Sequence, residues 1–244
     1  MKFKIIFSYD GSKYFGYAIQ ENEKDTIQEV VEKSISIILN KETKIYASGR
    51  TDRGVHALNQ VATFDYDEKI NLGKFRNSLN KMLPNDIYIK KINHVDDDFN
   101  ARFSCKSKTY LYVINSGEYN PFLRSYEYNI KELDLKKMRK CANLFIGEHC
   151  FQNFTSKKED EEDNFVRTIY KISFKQTKDK HILVEFKGNG FMKYMVRKLM
   201  GAIIEVGRDH ISLDYVNNLL VSNKRDIITY TAPPHGLFLK KVDY

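Results

Sequence analysis

Nine consecutive residues, Gly49-Arg50-Thr51-Asp52-Arg53-Gly54-Val55-His56-Ala57, enclose one carboxylate between two arginines and two glycines. Cationic neighbours favour the charged form of an acid, so Asp52 is expected to stay ionised and able to act as nucleophile or base. The glycines on either side give access to backbone conformations closed to other residues and let a ligand approach closely. From composition and loop position alone, an ordinary Arg-Asp turn is an equal alternative.

Such a turn needs a frame, and the flanking sequence supplies one. Lys44 to Ser48 (KIYAS) and Gln60 to Tyr66 (QVATFDY) read as strands, with Asp52 on the connection between them. Lys2 to Phe7 is strand-like as well. Thr26-Ile27-Gln28-Glu29 forms a capping box, and Ile27, Val30, Val31, Ile35, Ile38 and Leu39 then recur on one helical face. A second helix is expected from Leu72 to Leu83, with Leu72, Phe75, Leu79 and Met82 inward, stopped by Pro84. Strands are expected at 87–92, 109–114, 168–176, 181–187 and 237–242, and helices at 135–145, 191–206 and 213–221. Short strands separated by helices, with several neighbouring strand pairs, indicate an α+β fold.

Composition narrows the partners. The 244 residues hold 40 Lys and Arg against 32 Asp and Glu, a net charge of +8, together with 16 Tyr and 16 Phe. Cations release counterions from phosphates and rings stack on unpaired bases, so a basic, ring-rich chain fits a nucleic-acid binder. Charge alone also fits a lysine-rich protein that binds no RNA. Three cysteines, Cys105, Cys141 and Cys150, form neither an even set nor a metal-ligand spacing, which argues for free thiols in a reducing compartment. No signal-peptide core follows Met1 and no run of about 18 apolar residues occurs, so a cytoplasmic protein without a membrane partner is expected. The charge run Lys157 to Asp163 (KKEDEED) reads as a solvated loop, with a phosphate-repelling rim as the functional alternative.

The nonapeptide around Asp52 resembles the active-site motif of the tRNA pseudouridine synthase A family, and further matches occur in that family's order. Tyr9-Asp10-Gly11-Ser12-Lys13-Tyr14-Phe15-Gly16 is similar to its opening strand and turn. Phe99-Asn100-Ala101-Arg102-Phe103-Ser104, then Lys108-Thr109-Tyr110-Leu111-Tyr112, is similar to its second motif. Gly190-Phe191 through Met195-Val196-Arg197 to Gly201 is similar to its third, and Ala232-Pro233-Pro234-His235-Gly236-Leu237 to Tyr244 resembles its closing strand.

The resemblance implies a pseudouridine synthase fold: two mixed or antiparallel sheet lobes flanked by helices around a central active-site cleft. An N-terminal lobe, residues 1–105, would carry the catalytic aspartate loop, and residues 106–244 would complete the RNA-binding cleft. It implies isomerisation of uridine to pseudouridine in the tRNA anticodon stem-loop, by a homodimer, with no cofactor and no metal. Asp52 takes the role of essential acid, either attacking the sugar or removing a proton from it. Tyr110 would stack on the uracil and assist proton transfer, and Arg197 would pair with the acid. Arg50, Arg53, His56 and Leu237 would meet the RNA or the target base.

Each assignment has a plainer counterpart. Tyr110, Tyr112 and Ile114 alternate like an ordinary strand face; Arg197 could lay its stem on a core with its charge in water. His56 could hydrogen-bond backbone, Arg53 could face solvent and Leu237 could fill a core. The chain departs from the family after Gly16: Tyr17-Ala18-Ile19 stand where tryptophan, glutamine and arginine are common. The same isomerisation on another RNA such as rRNA, and a noncatalytic RNA-binding protein on the same scaffold, are the alternatives to a tRNA enzyme.

Overall fold

Strand β1 (Lys2–Tyr9) buries every second residue, Phe3, Ile5, Phe7 and Tyr9, as period-2 alternation of apolar and polar side chains requires. The structure, a computed structural model, describes residues 1–21, 23, 25–158 and 164–244. Residues 159–163 of the acidic run lie outside the described residues. Two compact units emerge: Met1–Lys106 with Phe238–Tyr244, and Ser107–Leu237. The closing residues Phe238–Tyr244 thus group with the first unit.

In the first unit β1 is central. It pairs antiparallel with β3 (His56–Asp65) on one side and with β4 (Ile87–Val95) on the other. Strand β2 shrinks to Tyr46–Ala47, antiparallel to β3. The terminal strand β10 (Leu237–Asp243) lies parallel to β3, with Phe238 opposite His56. Helix α1 (Ile27–Leu39) starts at the capping threonine, whose hydroxyl accepts from the Glu29 amide, and ends at Asn40 in the left-handed region. Helix α2 (Leu72–Met82) starts at Asn71 and is tied to β4 by the Asn80 side chain, which both donates to and accepts from Ile89. Phe75 on α2 packs its ring 6.0 Å from that of Phe64, which in turn stacks on Phe3.

One expectation about α2 fails. Met82, assigned inward by helical spacing, is 44% exposed, and Leu83 is buried instead. The helix ends at Met82 and Leu83 turns extended (φ −67°, ψ 146°), as the residue before a proline must, which swings its side chain inward.

The second unit is an antiparallel sheet in the order β5 (Ser107–Asn115), β9 (His181–Gly188), β8 (Val166–Gln176), β7 (Gly147–Cys150), with a short β6 (Tyr128–Asn129) parallel to β5. Helices α3 (Leu135–Leu144), α4 (Met195–Gly207) and α5 (Leu213–Val221) complete it, α3 packing against α4. Gly207 allows that approach, since a Cβ there would lie 2.5 Å from Met138 Cγ. Eleven of the thirteen α4 residues are buried, so only Arg197 and Glu205 reach from it toward polar surroundings. The helix begins at Met195, later than the expected Phe191. Tyr194 has φ +59°, incompatible with α-helix, and the Met195 amide donates to the Met192 carbonyl in a turn.

Among the described residues no helix is long and apolar enough to cross a membrane. The three cysteines are free thiols: Cys150 exposed, Cys105 half-buried, Cys141 buried with its pKa pushed up to about 12 by desolvation. Thiolate is the reactive form, so a maleimide at neutral pH should label Cys150 first and Cys141 only after unfolding. Labelling of Cys141 in the folded protein, detected by peptide mapping, would contradict its placement.

Candidate active site

The Asp52 loop is built as a tight turn clamped by the N-terminal strand. The Val55 amide donates to the Asp52 carbonyl at 3.1 Å, closing a turn over Asp52-Arg53-Gly54-Val55. Gly54 has φ +76° while Arg53 does not enter the left-handed region, the requirement of a type II turn at its third residue. Of the two motif glycines only Gly54 uses positive φ; Gly49 instead offers its carbonyl to Gln60 Nε2 at 3.0 Å.

The Tyr9–Tyr17 segment fits against this turn atom by atom. A Cβ on Gly11 would lie 2.0 Å from the Val55 carbonyl oxygen, so only glycine allows that approach. Gly16 has φ +94°, and a Cβ there would sit 3.2 Å from both Thr51 O and Arg53 N. The Tyr17 amide donates to the Thr51 carbonyl at 3.1 Å. Tyr17 fills the interior, with its ring centroid 6.3 Å from that of Tyr9, so a ring is kept where the family commonly has tryptophan. Its hydroxyl, however, is buried without a hydrogen-bond partner. Ile19, in the departing stretch, is half exposed.

These contacts sort the motif's side chains. Asp52 is partly exposed and Arg50 is exposed. Arg53, also exposed, lays its guanidinium 4.1 Å from the centroid of the Phe15 ring, a cation–π contact that steadies it. His56 does not face outward as an RNA contact would. It is 1% exposed, stacks on Phe238 at 4.7 Å, and its Nδ1 accepts from the Gly11 amide at 3.1 Å, with Asp10 Oδ1 also 3.1 Å away. The imidazole thereby joins the turn to β10, the backbone role that its sequence left open.

The second unit gathers its own group. Tyr110 on β5 is 8% exposed and meets Phe191 edge-on, ring centroids 5.3 Å apart. Arg197, on the first turn of α4, donates from Nε to the Ala232 carbonyl at 2.8 Å, while the Ala232 amide donates back to the Arg197 carbonyl. Its guanidinium lies 4.7 Å from the Tyr194 ring centroid. The segment 230–236 is pressed close on both sides: a Cβ on Gly201 would come within 2.7 Å of Tyr230 O, and one on Gly236 within 2.8 Å of Val113 O. Tyr112 donates to the Pro233 carbonyl at 2.8 Å. Burial raises the Tyr112 pKa, and the nearby Arg197 charge opposes that rise. Lys198, next to Arg197, is buried and donates to Ile228 O at 2.5 Å; burial first, and Arg197's charge second, lower its pKa. Leu237 is buried at the head of β10, its amide bonded to Pro234 O.

Sequence reasoning gave no role to Phe191, although it lies in the third motif and meets Tyr110, and missed Tyr194, which meets Arg197, and Gln60, which holds Gly49. Gln60 follows another amide, Asn59, in a strand of mixed polarity, so its residue type gave no signal of that role. Among the described residues no group of three His, Cys, Asp or Glu side chains could hold a metal ion.

The profile of the family described as tRNA pseudouridine synthase matches residues 5–104 and 141–244. This chain belongs to the tRNA pseudouridine synthase family. A tRNA pseudouridine synthase A of Listeria monocytogenes serotype 4b is 41% identical over 247 residues, which cover 100% of this chain and 99% of that protein. Its counterpart in Limosilactobacillus reuteri is 39% identical, covering 100% and 96%. A tRNA pseudouridine synthase A 2 of Bacillus anthracis is 38% identical, covering 99% of each. Both the clamped turn and the Tyr110–Arg197 region fall in a synthase chain matched from end to end by these relatives.

The clamp yields a prediction. Gly16→Ala places a Cβ at φ +94° against Thr51 and Arg53, a strain and crowding cost of about 1–3 kcal/mol. The urea midpoint should fall accordingly with an unchanged m value. An unchanged midpoint would mean that the turn is not clamped as described.

Proposed function

We infer that this chain is an isomerase that converts uridine to pseudouridine in tRNA, acting on the anticodon stem-loop. The observation that carries this reading is the end-to-end family match, joined to the clamped turn that presents the motif aspartate. Asp52 is the essential acid. The reaction breaks the bond between ribose and a uracil nitrogen, turns the base and rejoins it through carbon, and it requires that carboxylate ionised whether it attacks the sugar or removes a proton from it.

Tyr110 supports the base. Its ring, held edge-on by Phe191, offers a face for stacking and a hydroxyl for proton transfer. Arg197 supplies a positive charge for the acid, and its engagement with Ala232 and Tyr194 sets the direction of its guanidinium. Arg50 and Arg53, exposed on the aspartate turn, meet RNA phosphates, and the net charge of +8 draws the polyanion in. Leu237 packs beside the target base. The enzyme works as a homodimer in the cytoplasm and needs no cofactor.

Asp52→Asn should lower tritium release from uracil carbon 5 of labelled tRNA by about 10²–10⁴-fold or more, with tRNA affinity within a few-fold of the parent because phosphate contacts carry most of it. Tyr110→Phe keeps the ring and should reduce turnover more than binding. An Asp52→Asn protein that turns over at the parent rate would overturn the assignment.

A further inference from the structure

We propose that Gln60 and Tyr9 are positioning residues for Asp52: through a buried hydrogen-bond chain they hold the main chain leading into the acid, and turnover depends on that chain. The proposal rests on Asp52 being the essential carboxylate.

Gln60 is fully buried in β3, where an amide must find protein partners for every polar position. All four positions are filled. Oε1 accepts from Ser48 Oγ at 2.9 Å and from the Val61 amide at 3.1 Å. Nε2 donates to the Gly49 carbonyl at 3.0 Å and to the Tyr9 hydroxyl at 3.4 Å. The amide has one workable orientation, because turning it over would set NH₂ against the Val61 N–H and oxygen against the Gly49 carbonyl.

The chain continues to Thr51. The Tyr9 hydroxyl, which accepts from Gln60 Nε2, also shares a hydrogen bond with Thr51 Oγ1 at 2.8 Å. Burial pushes the Tyr9 pKa up to about 12, against the opposing effect of its two hydrogen bonds, so the hydroxyl keeps its proton through the neutral range. Ser48, Gly49 and Thr51 are thus each held by this chain, and Thr51 also accepts from the Tyr17 amide. Asp52 is the next residue, and Asp52 itself begins the turn closed by Val55. The hydrogen bonds of this network reach the backbone on either side of Arg50 and at Thr51, and it is through that backbone that they aim the carboxylate.

Misplacing a catalytic group by about 1 Å can cost about a hundredfold in rate. Steady-state kinetics on tRNA with the full-length protein should therefore separate Tyr9→Phe and Thr51→Val from the parent in kcat, by about ten- to a hundredfold, with KM and tRNA affinity within about twofold. Thr51→Ser, which retains Oγ1, should recover most of the loss. The double variant Tyr9→Phe/Thr51→Val should lose no more than the worse single one, because both remove the same bond. Gln60→Glu, which lacks the two donors, should resemble Tyr9→Phe. Folded fraction is measured by circular dichroism at the assay temperature.

Parent-like kcat in folded Tyr9→Phe and Thr51→Val would overturn the proposal, as would losses that track folded fraction alone or that Thr51→Ser fails to recover. Asp52→Asn measured alongside separates the two levels. If it is inactive while Tyr9→Phe is fully active, only the positioning role falls. If Asp52→Asn is itself active, the assignment of the acid falls and the positioning role with it.

Discussion

A buried glutamine amide offers two donors and two acceptors and has no water with which to satisfy them. At Gln60 that constraint is met by Ser48, Gly49, Tyr9 and Val61, so the strand that carries the amide also determines the path of the chain into Asp52. Leaving one such position unsatisfied costs about 1–3 kcal/mol, a large fraction of a domain's net stability. The same logic reaches across the turn, where the Gly11 amide donates to His56 and the Tyr17 amide to Thr51. Glycine is required at residue 11 because the backbones approach too closely for any side chain. A partly exposed carboxylate thus sits on a turn whose neighbours have little room to move, which is how a loop residue acquires a fixed direction.

The second unit reaches a comparable end by different means. Helix α4 is buried almost all round, and Arg197 is one of the two side chains it sends toward polar surroundings. A buried cation without partners is costly; Lys198 offsets that through Ile228 O, while the partly exposed Arg197 is held by Ala232 O and the Tyr194 face. Close packing of residues 230–236 against Gly201 and β5 holds the Ala232 carbonyl in place. The edge-on Phe191 restrains Tyr110 in the same unit.

Much of this could be read from the chain. The capping box gave the start of α1, alternation marked β5, and strand-like runs marked β1 and β9, because local sequence is what those elements obey. The α+β mixture came from the succession of short strands and helices, and the family from motif order. What escaped depended on tertiary geometry. Met82 and Leu83 exchange places because Pro84 ends the helix between them, and α4 starts late because Tyr194 adopts a conformation that no propensity favours. The strands β6 and β7 carry only two and four residues, too few for a period. The motif placed His56 beside Asp52 but could not reveal its burial against Phe238, and Gln60 looked like one polar position among several in its strand until its four partners appeared.

Nucleotide-resolution pseudouridine mapping of tRNA and rRNA, from cells that lack this chain and from the same cells supplied with it or with Asp52→Asn, tests the central claim most directly. Pseudouridines in the tRNA anticodon arm should be absent without the chain, return with the parent protein and stay absent with the variant. An anticodon-arm map identical in all three, or changes confined to rRNA, would contradict the account.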